Sequence, residues 1–344
     1  MGLAATATGL GLGAAEVLAR VLAPERPLVR LEQFTRIVED RHKFHFEDVF
    51  QSDPDLFWRL APGIRLPDDA WPMFGLISNE QGVREDHEIP SAKNDDEIRI
   101  LFLGDSCTFG YRLAFEDTYV QRTEVLLREK FPGVSIDCIN AGVPGYTLFQ
   151  GWRLLEARGF RFQPDLVVLS FGWNEIAEWD GIGDPQQHDR WKARTPPRPL
   201  RSLRLCRLLW QALHDRQSIA VVTGRRPRLV PHEFRAILEE IDREAQRRGI
   251  GLLLLVWPST ENLAEDYRTP MQLEQFRFGE GRALGPDGSP AVVDGIAVMR
   301  AMARRYPVSQ LYQDAIHTTA VANGGIAEAV AGKIAPWLGE RIET

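Results

Sequence analysis

A continuous apolar run at residues 98–104 (IRILFLG) ends directly before Asp105 and Ser106. Three further apolar runs follow along the chain, at residues 134–140, 165–171 and 251–257, and each is closed by Gly, Pro or Asn. Unbroken apolar runs are typical of parallel strands that are covered by helices on both faces. The strand pattern therefore predicts an α/β protein built around a parallel sheet.

Amphipathic segments fill the intervals between these runs. The clearest is residues 232–248, where Phe234, Ile237 and Ile241 share one face and the arginines come late. Helices are predicted at 118–130, 148–159, 200–215, 232–248, 294–305 and 319–338, and a last strand is expected around 308–312. Alternating strands and helices favour a three-layer α/β/α sandwich with a parallel, flavodoxin-like sheet. Right-handed crossovers would bring the carboxyl ends of all strands to one edge of that sheet.

Composition and charge limit the classes of partner and cofactor. The 344 residues are 44% hydrophobic and 26% charged, as in ordinary globular proteins, and the net charge of −7 does not indicate nucleic-acid binding. The three cysteines (Cys107, Cys138 and Cys206) are too scattered for a disulfide framework and lack the spacing of a zinc site. The cysteines therefore indicate no zinc site, the charge indicates no nucleic-acid partner, and the oligomeric state stays open.

The segment before the main domain divides into two parts. Residues 1–24 form an apolar N-terminal segment, and residues 25–97 are expected to be an elaboration that packs on the α/β/α domain at 98–340. The uncharged stretch 2–15 is too short to span a bilayer, and a basic region before it is missing. It is either a surface or core helix, or the end of a membrane anchor, and both interpretations stay open.

An insertion at residues 176–231 interrupts the main domain and is basic. Between positions 190 and 228 there are eleven Lys or Arg residues and one acidic residue. This excess is either a solvated helix face or a basic rim that attracts an anionic substrate or a membrane surface.

Polar residues follow the predicted strands in a fixed order. Ser106 follows the first strand, Gly142 lies in INAGVPG after the second, and Asn174 lies in GWNE after the third. An Asp-x-x-His sequence, Asp314 to His317, follows the last expected strand. Each element alone is also typical of an ordinary turn or helix start, but together they indicate a site at one edge of the sheet.

These four blocks resemble the GDSL-type, or SGNH, hydrolase superfamily over about residues 98–338. The resemblance implies that Ser106 is the nucleophile and that His317 is the base, with Asp314 as its partner. It also implies that the Gly142 N–H and the Asn174 amide are oxyanion donors. Glu175 replaces the family's usual Asp and is expected to keep its charge.

The upstream segments DPDLFWRLAPG and NEQGVRED are similar to the N-terminal elaboration of the bacterial membrane-linked subgroup of that superfamily. That subgroup usually begins with a membrane anchor. The resemblance therefore implies membrane association through the N-terminus, in the bacterial cell envelope rather than the cytoplasm.

The chemistry requires the same residue types independently. A serine hydroxyl needs an imidazole to take its proton, and that imidazole needs an acceptor on its other nitrogen. The oxyanion needs donors, and the Ser106 N–H adds a third to those of Gly142 and Asn174. Position 108 is Thr, so the Gly-x-Ser-x-Gly elbow of the α/β-hydrolases is absent.

The sequence therefore predicts a serine esterase that hydrolyses an acyl or acetyl ester on a small molecule or a carbohydrate through a Ser106 acyl-enzyme. This chemistry needs no metal and no organic cofactor. Trp173 and Tyr146 are the candidate substrate-binding side chains. One alternative is an acyltransferase that moves an acetyl group to or from an envelope polysaccharide. A second alternative is a catalytically silent glycan-binding module.

Overall fold

The protein is represented by a computed structural model that describes residues 2–22, 49–67, 75–178, 182–194, 196–197, 200, 202–215, 226–264, 267–284 and 291–343. Predictions that fall on 25–48, 68–74 and the remaining gaps lie outside the described residues. The described strands are β1 (Phe50–Asp53), β2 (Phe57–Leu60), β3 (Glu97–Gly104), β4 (Ser135–Asn140), β5 (Leu166–Ser170), β6 (Gly251–Val256) and β7 (Val292–Asp294). The described helices are α1 (Gly2–Leu22), α2 (Ser106–Phe109), α3 (Tyr119–Lys130), α4 (Leu148–Ala157), α5 (Asp184–Arg194), α6 (Arg204–Asp215), α7 (Pro231–Arg248), α8 (Thr260–Ala264), α9 (Pro270–Glu280), α10 (Gly295–Ala303), α11 (Val308–Leu311) and α12 (Ala320–Glu343).

Strands β3 to β7 form one parallel sheet in the order β4-β3-β5-β6-β7. This is the flavodoxin-like order, in which the direction of winding switches beside the first strand. Phe102 in β3 pairs with Asn140 in β4, and Gly104 pairs with Ser170 in β5. The predicted parallel sheet is therefore confirmed, and the carboxyl ends of its first three strands lie side by side.

Alternate side chains of the sheet face two separate layers of helices. Leu101, Leu103 and Leu169 pack with residues of α4, α7 and α9. Phe102 and Val168 point the other way and pack with residues of α3, α10 and α12. The three-layer arrangement predicted from the strand pattern is confirmed, because each continuous apolar run serves both faces.

The fifth strand lies elsewhere than the sequence predicts. It is the three-residue β7, which pairs in parallel with β6. Residues 308–311 instead form the short helix α11, which begins after Pro307. The strand expected at 308–312 is therefore wrong, because β7 already occupies the edge of the sheet beside β6. Tyr312 makes only an isolated bridge, to Thr318.

Buried carboxyl groups cover the open edge of the sheet at β4. Glu85 accepts a hydrogen bond from the Asn140 N–H at 2.6 Å, and Glu124 accepts one from the Cys138 N–H at 2.7 Å. Burial raises the pKa of both carboxyl groups. These contacts occupy N–H groups that an edge strand otherwise leaves unpaired.

The antiparallel hairpin of β1 and β2 contacts the loop that follows β4. The Trp58 indole N–H donates to the carbonyl oxygen of Pro144 at 3.0 Å, and the Tyr146 hydroxyl donates to the carbonyl oxygen of Trp58. The hairpin thus supports the loop at residues 142–147, here called the Gly142 loop.

Helix α1 packs against α6 through its two charged residues. Glu16 accepts hydrogen bonds from the N–H groups of Leu205 and Arg204 at 2.8 and 2.7 Å, and Arg20 binds the same carboxylate at 2.8 Å. These hydrogen bonds lower the pKa of Glu16 to about 2. Four apolar side chains of α1 are 58–73% exposed: Val17, Leu18, Val21 and Leu22. No helix in the described part of the chain is long and apolar enough to cross a membrane.

Candidate active site

Ser106 is the first residue of α2, directly after β3. The Asp105 carboxylate caps this helix by accepting a hydrogen bond from the Cys107 N–H at 2.9 Å. The Ser106 N–H has no acceptor among the described residues, as is usual in the first turn of a helix. The half-buried serine therefore presents its hydroxyl and a free N–H group at the edge of the sheet.

The structure brings Ser106, His317 and Asp314 into one hydrogen-bonded row. His317 Nε2 lies 2.8 Å from Ser106 Oγ, and His317 Nδ1 lies 2.7 Å from Asp314 Oδ2. Burial alone would raise the pKa of Asp314, but the hydrogen bonds from His317 hold it well below its usual range. An ionised Asp314 favours a proton on Nδ1, so that Nε2 is the nitrogen that accepts a hydrogen bond from the Ser106 hydroxyl.

The loop that carries His317 is fixed by the end of β6 and by its own turn. The Trp257 indole N–H donates to the carbonyl oxygen of Ile316 at 2.9 Å, and the Thr260 N–H donates to that of Ala315 at 2.9 Å. Asp314 Oδ1 accepts the N–H groups of Ile316 and His317 at 3.0 and 2.8 Å. The Asp-x-x-His spacing thus forms a turn in which the carboxylate reaches both backbone and imidazole.

Two residues beside the imidazole were missed by the sequence analysis. The Tyr111 ring centroid lies 4.9 Å from that of His317, and Arg112 Nη1 lies 3.5 Å from Asp314 Oδ2. Arg112 has a φ of 61°, a conformation that strains a residue other than glycine by about 1 kcal/mol. No spacing or composition signal marks either residue, because both reach the site through the turn after α2.

The Gly142 N–H lies at the predicted edge but has an internal acceptor. It donates to Asn140 Oδ1 at 3.1 Å. A Cβ atom at position 142 would overlap the backbone of Phe109 in α2. Glycine is therefore required here by the close approach of the Gly142 loop to α2, whatever the substrate.

The Asn174 amide follows β5 and links two other parts of the site. Its Nδ2 donates to the carbonyl oxygen of Tyr146 at 3.0 Å and to Asp105 Oδ2 at 3.2 Å. Burial raises the pKa of Asp105 to about 6. Of the three predicted oxyanion donors, only the Ser106 N–H is without an internal acceptor in the described structure. The Gly142 N–H and the Asn174 amide make hydrogen bonds of 3.0–3.2 Å inside the protein.

The two predicted substrate-binding aromatic residues are placed differently. Tyr146 is 1% exposed and its hydroxyl donates to the Trp58 carbonyl, so the structure contradicts substrate contact by this side chain. The apolar packing under the Gly142 loop explains its position. Trp173 is half buried beside Asn174 and packs against the cluster formed with α3 and α12. It stays a candidate for substrate contact.

Glu175 is completely buried behind Asn174. Its Oε1 accepts the N–H of Leu148 at the start of α4 at 2.8 Å, and its Oε2 has no partner among the described residues. Burial raises the pKa of Glu175 to about 8. Burial therefore disfavours the charged form of this carboxyl group, contrary to the expectation that Glu175 keeps its charge.

Within the described ranges, one group of side chains has the type and proximity of metal ligands: Glu85, Asp86 and His87. It lies at the β4 edge rather than at Ser106. His87 contacts Asp86 at 2.9 Å and Asp137 at 3.4 Å, and Glu85 holds the Asn140 N–H. These partners account for the cluster without an ion.

The sequence matches the model of the GDSL-like Lipase/Acylhydrolase family over residues 102–275, half of the chain. The chain belongs to the GDSL-like lipase/acylhydrolase family. It is a serine hydrolase of the GDSL, or SGNH, type. The matched region includes Ser106, Gly142 and Asn174, whereas Asp314 and His317 lie beyond it. Membership of the membrane-linked subgroup stays a prediction.

Several solved structures are similar to this GDSL-type chain. The α/β hydrolase LAE5 from the metagenome of Lake Arreo is 18% identical, with 69% of this chain and 94% of that chain covered and a TM-score of 0.46. The acetylxylan esterase Axe2 of Geobacillus stearothermophilus is 18% identical, with the same coverage and a TM-score of 0.43. The acetyl xylan esterase AlAXEase is 15% identical, with 68% and 98% covered and a TM-score of 0.44. No curated protein matches the sequence. Family membership therefore depends on the matched sequence region.

Glu175→Gln tests the protonation of the buried carboxyl group. The pKa is 4.5 when unfolded and about 8 when folded, so the folded protein binds more protons between these values. The free energy of unfolding of the unsubstituted protein should therefore fall as pH rises through this window, by up to about 1.4 kcal/mol per pH unit from this group. The variant lacks this loss, so its stability relative to the unsubstituted protein should increase from pH 5 to pH 9 in urea denaturation.

The matched control is Glu156→Gln, which removes an exposed carboxylate from the neighbouring helix α4. A Glu175→Gln difference that does not change with pH would show that Glu175 is ionised inside the folded protein.

Proposed function

We propose that the protein is a serine esterase in which Ser106 forms an acyl-enzyme, His317 is the general base and acid, and Asp314 orients the imidazole. The observation that carries this proposal is the row of two hydrogen bonds, 2.8 Å from Ser106 Oγ to His317 Nε2 and 2.7 Å from His317 Nδ1 to Asp314. Both distances are within the range expected for a nucleophile, its base and the group that orients the base.

In the first half of this reaction, His317 Nε2 takes the proton of the Ser106 hydroxyl as Oγ bonds to the ester carbonyl carbon. The tetrahedral intermediate then collapses, the bond to the alcohol oxygen breaks, and His317 gives its proton to that oxygen. In the second half, a water molecule gives a proton to His317 and attacks the acyl carbon. The carboxylic acid leaves, and the proton returns to Ser106 Oγ.

The oxyanion formed in each half requires donors that strengthen as its charge develops. The free N–H of Ser106 supports this role directly, because it is already unpaired among the described residues. Gly142 and Asn174 support it through proximity, and their internal hydrogen bonds would have to be shared or exchanged when a substrate oxygen arrives. Such exchange is compatible with catalytic hydrogen bonds that tighten only when substrate binds.

The proposed substrate is an acyl or acetyl ester, carried by a small molecule or a carbohydrate. Trp173 supports a carbohydrate, because a half-buried indole directly before Asn174 offers an apolar face of the kind on which sugar rings stack. The acyl group and the alcohol are best identified by measuring turnover over a series of acyl-chain lengths and of acetylated polysaccharides.

Ser106→Ala should abolish hydrolysis of a short activated ester and labelling by a fluorophosphonate, because no other group then attacks the carbonyl. The melting temperature should change little, since the side chain is only half buried. The matched control is Ser135→Ala, an exposed serine at the opposite end of β4, which should keep full turnover. Retained turnover in Ser106→Ala would exclude this nucleophile, and an unlabelled parent protein would favour the silent binding module.

Asn174→Ala tests the side-chain oxyanion donor. Loss of one such donor typically lowers kcat by roughly 100- to 1000-fold, because the donor acts mainly on the transition state. We expect that decrease with KM changed by less than about threefold, measured in steady-state kinetics on the same ester. A raised KM with unchanged kcat would instead assign Asn174 to ground-state binding.

We further propose that the protein works at the bacterial cell envelope and that α1 contacts a membrane. The support is the charge distribution on α1, whose two charged side chains, Glu16 and Arg20, are both engaged at the start of α6. The exposed side of the helix over residues 17–22 is otherwise mostly apolar. An exposed apolar surface of this kind is typical of a membrane or protein contact.

Val21→Glu combined with Leu18→Glu should greatly reduce sedimentation with phosphatidylglycerol vesicles, because transfer of a charged side chain into the apolar region of the bilayer is energetically unfavourable. The control is Val125→Glu on α3, whose side chain is also 54% exposed but lies on the main domain. Equal sedimentation of the two variants would contradict membrane contact through α1.

A further inference from the structure

Arg228, near the end of the basic insertion, is not part of a solvated basic surface. Its side chain is buried, with the residue only 2% exposed, and it pairs with the buried carboxylate of Asp184. Nε donates to Oδ1 at 3.0 Å, and Nη2 donates to Oδ2 at 2.9 Å. A planar guanidinium held by two parallel hydrogen bonds has a fixed orientation.

The Arg228–Asp184 pair binds the Gly142 loop through both of its side chains. Arg228 Nη1 donates to the carbonyl oxygen of Gly145 at 2.6 Å, and Nη2 also donates to Gln150 Oε1 at 2.5 Å. On the other side, the Thr147 hydroxyl donates to Asp184 Oδ2 at 2.6 Å. Two residues of the loop are therefore attached to one buried ion pair.

The same segment also holds the turn that carries Asn174. The Arg228 N–H donates to the carbonyl oxygen of Ala177 at 2.9 Å, and the Leu229 N–H donates to that of Glu175 at 3.1 Å. Between these two attachments, Asn174 Nδ2 donates to the carbonyl oxygen of Tyr146, the residue after Gly145. Arg228 thus contacts both the Gly142 loop and the turn that carries Asn174, and the Asn174 amide forms a hydrogen bond between these two segments.

A buried ion pair is a weak source of stability, because removing two charges from water offsets most of their attraction. Its effect on the positions of the bonded groups is larger. An unpaired buried polar atom is costly, so each atom must keep its partner, and this restrains the backbone that carries it. The Arg228–Asp184 pair is therefore better suited to fixing the Gly145 carbonyl group and the Thr147 hydroxyl than to stabilising the fold.

We propose that Arg228, together with Asp184, is a positioning residue for the oxyanion site. The pair holds the Gly145 carbonyl oxygen and the Thr147 hydroxyl, and so it fixes the position of Tyr146 between them. The Tyr146 carbonyl oxygen accepts one hydrogen bond from the Asn174 amide and thereby sets the direction of that amide relative to Ser106. This inference rests on the proposed esterase function. Arg228, although it belongs to the basic insertion, then acts inside the protein rather than on its surface.

Arg228→Lys tests this role, because lysine keeps the charge but cannot reach Asp184, Gln150 and Gly145 together. We expect kcat on a short activated ester to fall by about 10- to 100-fold with KM within about threefold. The pH profile of kcat/KM should keep its shape, because His317 and Asp314 are untouched. Thr147→Val removes one attachment with little change of shape and should lower kcat by about three- to tenfold.

The matched control is Arg99→Lys. Arg99 is also a buried arginine, paired with Glu97 at 2.6 Å and donating to the carbonyl oxygens of Pro90 and Phe162 at 2.8 and 2.9 Å. It lies near the amino end of β3, away from Ser106. A similar loss of melting temperature is expected in both arginine variants, but only Arg228→Lys should lose kcat.

Unchanged kcat in Arg228→Lys, or a raised KM alone, would overturn the positioning role. If Arg228→Lys does not fold, Thr147→Val decides in the same way. A parent protein without Ser106-dependent turnover or fluorophosphonate labelling would overturn the esterase function itself, and the positioning role with it. An active parent with a fully active Arg228→Lys would overturn only the positioning role.

Discussion

The parallel pairing of β3 with β4 on one side and β5 on the other is the constraint on which the rest of the site depends. The register sets Phe102 beside Asn140 and Gly104 beside Ser170. Every residue that follows one of these strands then enters the same small region. Ser106, Gly142 and Asn174 are separated by tens of residues in sequence, but each lies two to four residues beyond a paired strand end.

The surroundings of Asn174 show how this region is kept rigid. Asp105 and Glu175 are buried beside it, the Arg228–Asp184 pair is buried against the Gly142 loop, and burial raises the pKa of both Asp105 and Glu175. A hydrogen bond in such a poorly solvated region is stronger than in water, and a polar group without a partner lowers the stability of the folded protein more. The direction of the Asn174 amide is therefore set by many mutually dependent contacts rather than by its own rotamer.

Long elements and the residues directly at their ends were predictable from sequence. Four strands are predictable because apolar runs of seven residues that stop at Gly, Pro or Asn are typical of buried strands, and polar residues mark where those runs stop. Strand β7 is not predictable because three residues show no periodicity. The segment VSQLY at 308–312 has the composition of a strand, but a helix begins there after Pro307. The burial of Glu175, which raises its pKa, is not predictable because nothing in GWNE reveals that the side chain points into the core.

The sequence by itself determined four of the five strands of the parallel sheet, and with them the edge at which Ser106, Gly142, Asn174 and the Asp314–His317 turn would meet. It could do so because apolar runs and their ends are local properties. Only the tertiary structure decided which donors are free, which carboxyl groups have a raised pKa, and that Arg228 binds the Gly142 loop. These properties depend on burial and on contacts between residues that are distant in sequence, which no local pattern encodes.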